Sequence, residues 1–431
     1  MSETDTDAAD QFDDRAGAGR LDESTPGLWR RVGRLPRNVL AISLVSLFND
    51  ASSEIIYPFL PLFLTLTLGA SPFAVGLIEG GAESVSGLLK LFSGYFSDRR
   101  GRRKGLVVFG YGLAGVMRPL LAFAATWPQV LFIRLADRVG KGVRSAPRDA
   151  LIADSARPAE RGLAFGFHRA MDHAGAVVGP LVGYLILSLI ASNAAAPTAG
   201  DYRTLFLLAS VPALMAVLVA AFFVREARRD ERAAAPPPAR LSLRGFDSNF
   251  KRFLVILALF TLSNSSDAFL LLRAQQAGVT AAAIPLLWAA LHVSKVASSL
   301  VGGDLSDRLG RKTLIVSGWL LYAAVYTGFA FVSSAAGAWT LFLIYGIYFG
   351  LVEGTEKALV ADLVRPEQRG TAYGLYNLAF SVSVFPASLL MGALWHWRGP
   401  RAAFAASALV GSAAAGLLAL TVRAGRAPRR A

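Results

Sequence analysis

The chain contains GYFSDRRGRRK at residues 94–104 and a second version of this stretch, GDLSDRLGRK, at residues 303–312. Each copy lies between two long apolar runs. The two stretches begin 209 residues apart, which is about half of the 431 residues. A second pair, ALIADSARP at 150–158 and ALVADLVRP at 358–366, repeats with an offset of 208. Two matches in one order at nearly one offset predict a duplicated domain.

Composition indicates that this domain lies in a membrane. The chain is 54% hydrophobic and only 17% charged, and its mean hydropathy is +0.46, whereas soluble domains are roughly 25% charged. Apolar runs of about 20 residues, enough to cross a bilayer as a helix, recur along the chain. The sequence therefore predicts an all-α membrane protein with twelve transmembrane helices, six in each half. These begin near Asn38, Pro72, Gly105, Pro128, Glu160, Tyr202, Phe253, Ala281, Thr313, Thr340, Gly370 and Arg401.

The net charge of +14 is explained by the distribution of Lys and Arg across the membrane and does not indicate a nucleic-acid-binding surface. If the N-terminus is cytoplasmic, thirty Lys and Arg fall on the cytoplasmic side of the predicted helices and four on the other side. This asymmetry in short loops is the positive-inside rule, which places both termini in the cytoplasm. No nucleic-acid partner is expected.

Other features define the domain boundaries and exclude several chemistries. The chain has no Cys and four scattered His, so neither a disulfide, a metal site nor a cofactor is expected. The mixed polar start predicts a disordered tail, and the Ala- and Pro-rich centre predicts a flexible linker. The predicted segments are a tail at 1–37, a first bundle at 38–224, a linker at 225–252, a second bundle at 253–422 and a tail at 423–431.

The repeated loop has two interpretations. Its glycines suit a tight turn, its Asp can cap a helix or pair with Arg, and its basic residues hold it in the cytosol, so it could be a plain topogenic turn. The identical spacing of Asp, Arg, Gly and Arg in both copies exceeds what charge alone requires. This loop resembles the signature of the major facilitator superfamily, and the resemblance extends over all twelve predicted helices.

The resemblance implies two six-helix bundles around a central cavity, which rock to expose a midplane site to either side of the membrane. It also implies that the repeated loops act as conformational latches. The latch residues would be Asp98, Arg99, Arg102, Asp307, Arg308 and Arg311.

The fifth predicted helix carries glycines at spacings that suit close helix contact, with a proline that can kink it. The pattern Gly-x8-Gly-x3-Gly-Pro-x2-Gly resembles the antiporter signature of drug and proton exchangers, although Tyr184 stands where a final Gly is usual. Ordinary small-residue packing is the alternative. The residues concerned are Gly166, Gly175, Gly179, Pro180 and Gly183.

The fourth predicted helix is the most highly charged and cannot present these charges to lipid. Arg138, Lys141 and Gly142 resemble the superfamily's fourth-helix motif, with Lys141 in place of the usual Gln. Asp137 and Lys141, four residues apart, are expected to be able to pair. For Arg144, Arg148 and Asp149, a structural network near the cytoplasmic mouth is one reading and an anion site is another.

Ionisable residues also fall near the middle of several predicted helices. Such a layer suits proton coupling, because desolvated carboxylates can load and release protons. Asp50, Glu54 and Glu83 are the leading proton-site candidates. The full set of cavity candidates is Asp50, Glu54, Glu79, Glu83, Arg138, Lys141, Asp172, Asp267, His292 and Lys295.

At positions 208 residues apart, the fourth predicted helix carries Arg148 and Asp149 and the tenth carries Glu356 and Lys357, so the order of positive and negative charge is reversed. This predicts a cytoplasmic gate with salt bridges from Arg148 to Glu356 and from Asp149 to Lys357, with Arg144 and Glu353 nearby.

Together these features favour a monomeric transporter of the cell membrane, which exports a small organic molecule in exchange for protons. A symporter or uniporter that imports a metabolite or organic anion remains an alternative, as does a membrane sensor without transport. The sequence predicts no enzyme, because no pairing of nucleophile and base is evident.

Overall fold

The computed structural model of the protein describes residues 33–100, 103–157, 161–226, 243–365 and 368–423. Within these residues the chain forms helices and no strand. The predicted all-α fold is therefore correct. The predicted tail and linker lie largely outside the described residues.

The N-terminal half contains six helical segments, each of which coincides with a predicted span. They are α1 (Arg37–Thr67), α2 (Pro72–Arg100), α3 (Lys104–Phe123), α4 (Trp127–Ser155), α5 (Arg161–Ile190) and α6 (Ala199–Phe222).

The C-terminal half follows the same order. It contains α7 (Ser248–Gln276), α8 (Ile284–Leu309), α9 (Arg311–Phe331), α10 (Ala335–Leu363) and the long segment Arg369–Thr421. That segment bends at Gly399, whose φ of 83° is readily adopted by glycine. We call its two arms α11 (369–398) and α12 (400–421).

The first helix of each half is interrupted. The regular part of α1 ends at Ile56, two residues before Pro58; helix resumes at Leu60–Leu62 and continues as a π-helical turn at Phe63–Thr67. The regular part of α7 ends at Ser263, and helix resumes at Ala268. Interrupted helices inside a membrane protein are tolerated where the backbone is covered by protein or lines a cavity.

The outer surface is that of a membrane protein. Eight helical segments are long and apolar enough to cross a bilayer, and large apolar side chains such as Phe222 and Leu420 are 75% and 86% exposed. Helices α2, α4 and α8 are not among the eight, and α11 with α12 counts as one of them. The charges of α4 lie inside the protein, as described below.

The two halves meet mainly along α2 with α11 and α5 with α8, and α7 makes smaller contacts with α1 and α2. A Cβ placed on Gly80 would lie 2.7 Å from the Ser388 Cβ, and one on Gly392 would lie 2.6 Å from the Pro72 carbonyl oxygen. The Ser84 hydroxyl donates to the Ser381 carbonyl at 2.7 Å. These contacts run from the start of α2 to its middle.

We call the face that carries the α2–α3 and α8–α9 connections the loop face. Each half is closed there by an asparagine at the start of its first helix. The Asn38 amide bonds the backbone N–H and carbonyl of Arg225, at 2.8 and 3.1 Å. Asn249 bonds the same two groups of Arg423, at 2.9 and 2.8 Å. We call these two pairs the asparagine clasps.

Candidate functional site

The glycine pattern of α5 brings that helix into contact with α1. A Cβ on Gly175 would lie 2.8 Å from the Leu47 carbonyl oxygen, and one on Gly179 would lie 2.6 Å from that of Ala51. Contacts this short require glycine. Gly183 also faces α1, whereas a Cβ on Gly166 would meet open space.

A buried ionic network crosses the N-terminal half. Arg134 forms a bidentate pair with Glu79, with N–O distances of 3.0 and 2.8 Å. Arg118 lies 3.3 Å from Asp137 and donates to the backbone and side-chain oxygens of Asn49 at 2.8 and 3.0 Å. Glu79, the two arginines and Asp137 are all at most 6% exposed. This network joins α1, α2, α3 and α4 and leaves Glu79 almost fully buried, at 2% exposed.

The expected pair of Asp137 with Lys141 on α4 is not formed. Asp137 contacts Arg118 on another helix, and Lys141 instead lies 4.0 Å from Glu83. Arg138 binds the same Glu83 carboxylate at 3.2 Å. The Glu83 side chain is 42% exposed and that of Lys141 is 35% exposed, although both lie in mid-helix. These two side chains therefore border open space at the level of the helix middles.

The two acids of α1 have neutral partners. Asp50 accepts a hydrogen bond from the Asn49 amide at 2.9 Å. Glu54 accepts one from the indole N–H of Trp288 on α8, at 2.7 Å. The Tyr57 ring lies 5.0 Å from the Trp288 ring. Among the described residues neither acid forms a salt bridge, and Glu54 connects the two halves.

The matching position in the C-terminal half holds an ion pair in aromatic surroundings. Asp267, at the interruption of α7, lies 3.9 Å from Lys295 and accepts a hydrogen bond from Tyr345 at 2.8 Å. The Lys295 ammonium lies 3.7 Å from the centre of the Phe349 ring. His292 packs edge-on against Trp288 at 5.1 Å. Asp267, Lys295 and His292 thus lie close to one another, next to the α1 acids.

Charged residues at the loop-face end of α4 pair within their own half. Arg148 lies 2.9 Å from Asp149 and 3.3 Å from the Ser46 hydroxyl. The Arg144 guanidinium lies 4.3 Å above the Tyr111 ring, a cation–π contact. These contacts form a structural network, which leaves the Asp149 side chain 47% exposed.

The expected gate pairs are not formed among the described residues. Lys357 contacts Glu353 at 3.4 Å, and both side chains are about half exposed or more. Glu356 is buried, and its two oxygens accept hydrogen bonds from Trp319 at 2.9 Å and Tyr376 at 2.7 Å. The assignment of Glu356 as a partner of Arg148 is therefore wrong in this conformation, because its carboxylate is enclosed within its own half.

Asp172 lies on α5 beside two basic residues of the same helix. It lies 3.7 Å from both His168 and Arg169. His168 is 1% exposed, and both its ring nitrogens lack a hydrogen-bond partner in the described structure. Asp172 also lies near the Ser46 hydroxyl of α1 and within electrostatic range of Asp50.

The repeated loop meets the second repeated stretch in both halves. Arg103 forms a salt bridge with Asp154, and Arg311 forms one with Asp362 at 2.6 Å. Glu226 additionally accepts from the backbone N–H groups of Arg103 and Lys104 at 2.8 and 2.9 Å. The remaining latch candidates lie outside the described side chains: Asp98, Arg99, Arg102, Asp307 and Arg308.

Several residues of the site were not predicted. Trp288, Tyr345 and Phe349 carry no charge, and nothing in their spacing distinguishes them from core residues. Asp154 and Asp362 did have a signal, since they repeat at the same offset as the loop. Arg118 had a weaker signal, as a single arginine in the third predicted span.

Apolar helices that enclose a cluster of ionisable side chains near two helix interruptions are typical of a membrane transport protein. The profile of the Major Facilitator Superfamily matches residues 42–388. The chain is also 34% identical over 373 residues to an uncharacterised MFS-type transporter of Methanocaldococcus jannaschii, covering 84% of this chain and 89% of the relative. The chain belongs to the Major Facilitator Superfamily and is a secondary transporter.

Two further similarities are more distant. The sugar efflux transporter B of Salmonella typhimurium is 23% identical over 359 residues, which cover 82% of this chain and 87% of that protein. A bacterial homologue of the human lysosomal transporter Spinster has the same fold, with a TM-score of 0.73 and 17% identity over 93% of this chain and 98% of that one.

Proposed function

We propose that the protein exports a small organic molecule across the cell membrane in exchange for protons. It would do so as a monomer with twelve transmembrane helices and both termini in the cytoplasm. The observation that carries the proton coupling is Glu54, a carboxylate inside the membrane that forms no salt bridge among the described residues and bonds Trp288 of the other half.

A proton on Glu54 would act on the contact between the halves. A hydrogen bond to an ionised carboxylate is stronger than one to a neutral group. Loading Glu54 would therefore weaken its bond to Trp288, and this bond joins α1 to α8. Proton binding would thus change the relative stability of the two orientations of the halves, as exchange requires.

The arrangement of the halves supports a conformation open to the loop face. The close contacts of α2 with α11 lie in the part of α2 away from this face. Asp149, Glu353 and Lys357, at the loop-face ends of α4 and α10, have side chains that are 47%, 69% and 48% exposed. With the loop face in the cytoplasm, the cavity would accept cargo from the cell interior.

Export is favoured over import by two observations. The glycine face of α5 packs directly beneath Asp50 and Glu54 and fits the antiporter-type pattern. One relative, which aligns with 82% of this chain, is named as a sugar efflux transporter. Import of an organic anion is the second candidate, because Lys295 presents a cation at the same level.

The test uses everted membrane vesicles from cells that overproduce the protein, energised to acidify their interior and followed with a fluorescent probe of the pH gradient. A panel of amines, sugars and organic acids is added in turn. We expect some compounds to discharge the gradient with the native protein and with Asp201→Asn, a change in the cap of α6, but not with Glu54→Gln. Uptake by whole cells, with no discharge in vesicles, would establish import instead.

A further inference from the structure

We propose that the transported molecule is an organic acid in its carboxylate form, and that this carboxylate binds Lys90 and Lys141 on the wall formed by α2 and α4. This inference rests on the proposed transport of a small organic molecule and specifies its charge, whichever way the molecule moves. It follows from the position of Lys90, the number of cations that share Glu83 and the charges of the whole N-terminal half.

Lys90 lies on the face of α2 that borders the open space beside Glu83. The two residues are seven apart, or two helical turns, and therefore share a face. Gly87, on one side of this face, approaches α11, and Leu89, on the other side, approaches α4. The Lys90 side chain is exposed. It therefore extends into the space between α4 and α11 and not into either helix contact.

Three cations of this wall share one carboxylate. Glu83 is contacted by Arg138 at 3.2 Å and by Lys141 at 4.0 Å. Lys90 also lies within electrostatic range of Glu83, but its other charged neighbours at this range are Lys141, Arg148 and Arg138. Among the described residues the Lys90 ammonium forms neither a hydrogen bond nor a salt bridge.

The positive surplus remains when the neighbouring charges of this half are included. The buried network of Glu79, Arg118, Arg134 and Asp137 is balanced. Apart from this network and the helix ends, the described helices of the N-terminal half carry six cations, Lys90, Arg138, Lys141, Arg144, Arg148 and Arg169, and five acids, Asp50, Glu54, Glu83, Asp149 and Asp172. One positive charge is thus unbalanced even if every acid is ionised.

The C-terminal half places no acid beside Lys90. Helix α11, which packs against α2, has no charged residue between positions 371 and 395. Of the acids on other helices, Asp267 pairs with Lys295, and Glu353 pairs with Lys357. Glu356 is enclosed by Trp319 and Tyr376. The unbalanced charge of the α2–α4 wall is therefore available to a ligand.

A carboxylate matches this surplus in charge. Each lysine ammonium has three donors and no acceptor, so Lys90 and Lys141 together can donate to both oxygens of one carboxylate. One such group neutralises a surplus of one, whereas a phosphate monoester carries about −1.5 to −2 at pH 7 and would reverse it. A cationic molecule would meet three cations around a single acid.

Lys295 is a less suitable anion site than this wall. Its ammonium lies 3.9 Å from Asp267 and 3.7 Å from the centre of the Phe349 ring. An anion at Lys295 would compete with a carboxylate that is already in place, and at Lys90 it would not.

The experiment follows thermal unfolding of the full-length protein in detergent with three carboxylates, benzoate, hexanoate and gluconate, each beside its neutral amide. A ligand stabilises the folded state that binds it. We expect at least one carboxylate to raise the unfolding temperature and its amide to have no effect. Lys90→Met should weaken this binding about tenfold, as expected for a hydrogen bond to a charged group, and Lys90→Met/Lys141→Met should abolish it.

Two variants serve as controls for the loss of binding. Lys90→Arg keeps the charge and should retain part of the binding. Lys312→Met removes a lysine of α9 that donates to the Ala419 carbonyl oxygen, away from this wall, and should bind as the native protein does.

The stability of the ligand-free protein separates binding from a structural role. Because Lys90 has no acid of its own, Lys90→Met should leave the unfolding temperature without ligand unchanged or raise it. A marked decrease would show that Lys90 belongs to an internal ion pair, and this would overturn the inference.

Two other results would also overturn it. One is that no carboxylate stabilises the protein more than its amide, and the other is carboxylate binding that persists in Lys90→Met/Lys141→Met. In either case, discharge of the vesicle gradient that depends on Glu54 would leave the proposed exchange intact. Conversely, carboxylate binding that depends on Lys90, with no discharge by any compound, would support the site and contradict proton exchange.

Discussion

Arg134 illustrates how charges are accommodated within the N-terminal half. Its guanidinium forms two hydrogen bonds with the Glu79 carboxylate. Asp137, three residues further along α4, pairs with Arg118. A buried pair of this kind adds little relative to an apolar pair, but removing one partner leaves an unpaired buried charge. The arginine is therefore required mainly because the glutamate is present.

This leads to a stability prediction at Glu79 and Arg134. Arg134→Met should lower the free energy of unfolding by about 3–5 kcal/mol, since Glu79 is then buried without its partner. The double variant Glu79→Gln/Arg134→Met should recover part of this loss. Thermal unfolding in detergent, followed by tryptophan fluorescence, measures both effects.

Lys357→Met provides the matched control. It also removes one cation from a salt bridge, but its pair with Glu353 is exposed, and exposed pairs contribute about 1 kcal/mol or less. Equal losses in the two single variants would contradict a special role for burial.

At the residue scale the sequence predicted which charges enter the membrane but not their partners. The rule that membrane charges avoid lipid placed the α4 residues inside the protein. Spacing along one helix suggested that Asp137 pairs with Lys141, because residues four apart share a face. The actual partner, Arg118, comes from α3, and only the packing of α3 against α4 brings it within reach.

At the scale of elements, the α5–α1 contact depends on glycine at two successive turns. Gly179→Val would place its Cβ 2.6 Å from the Ala51 carbonyl oxygen, a contact that requires the helices to separate. We expect a loss of about 1–3 kcal/mol in stability from overpacking, together with reduced gradient discharge in vesicles. Thermal unfolding measures the loss of stability, and the vesicle assay measures the gradient discharge.

Gly166→Ala is the control for this change. A Cβ at Gly166 meets nothing within 4 Å, and alanine favours helix over glycine. The variant should therefore be as stable as the native protein or more so. If it were as damaging as Gly179→Val, the close contact with α1 would not be the cause.

Helix positions were predictable because hydropathy reports burial in lipid over about 20 residues. A helical segment begins near the start of each predicted span, and eight segments are long and apolar enough to cross a bilayer. The interruptions at Ile56 and Ser263 were missed, since hydropathy averages over a whole span and a local break changes that average little. These interruptions bring Glu54 and Asp267 close to the junction of the halves.

At the scale of the whole molecule, the absence of Cys from the sequence allows the movement of the halves to be tested by cross-linking. Gly80→Cys with Ser388→Cys would join α2 to α11, where the corresponding Cβ atoms are 2.7 Å apart. This is closer than the roughly 3.5–4.5 Å of a disulfide, so a small separation of the helices suffices. We expect oxidation to stop gradient discharge and reduction to restore it.

A second cysteine pair tests the opposite orientation. Asp149→Cys and Lys357→Cys lie at the exposed loop-face ends of α4 and α10. If the loop face closes during transport, this pair should cross-link in the presence of a transported compound and much more slowly without it. A rate unaffected by such a compound would contradict closure at these residues.

The asparagine clasps have a consequence for how the protein can be assembled. Each clasp ties the beginning of a half to its own end, through a side chain and backbone groups that belong to that half alone. The first and last helices of each half are thus held together without a contribution from the other half. Covalent continuity between the halves is then dispensable, and two separately synthesised fragments, divided between Glu226 and Leu243, should associate in the membrane into a working carrier.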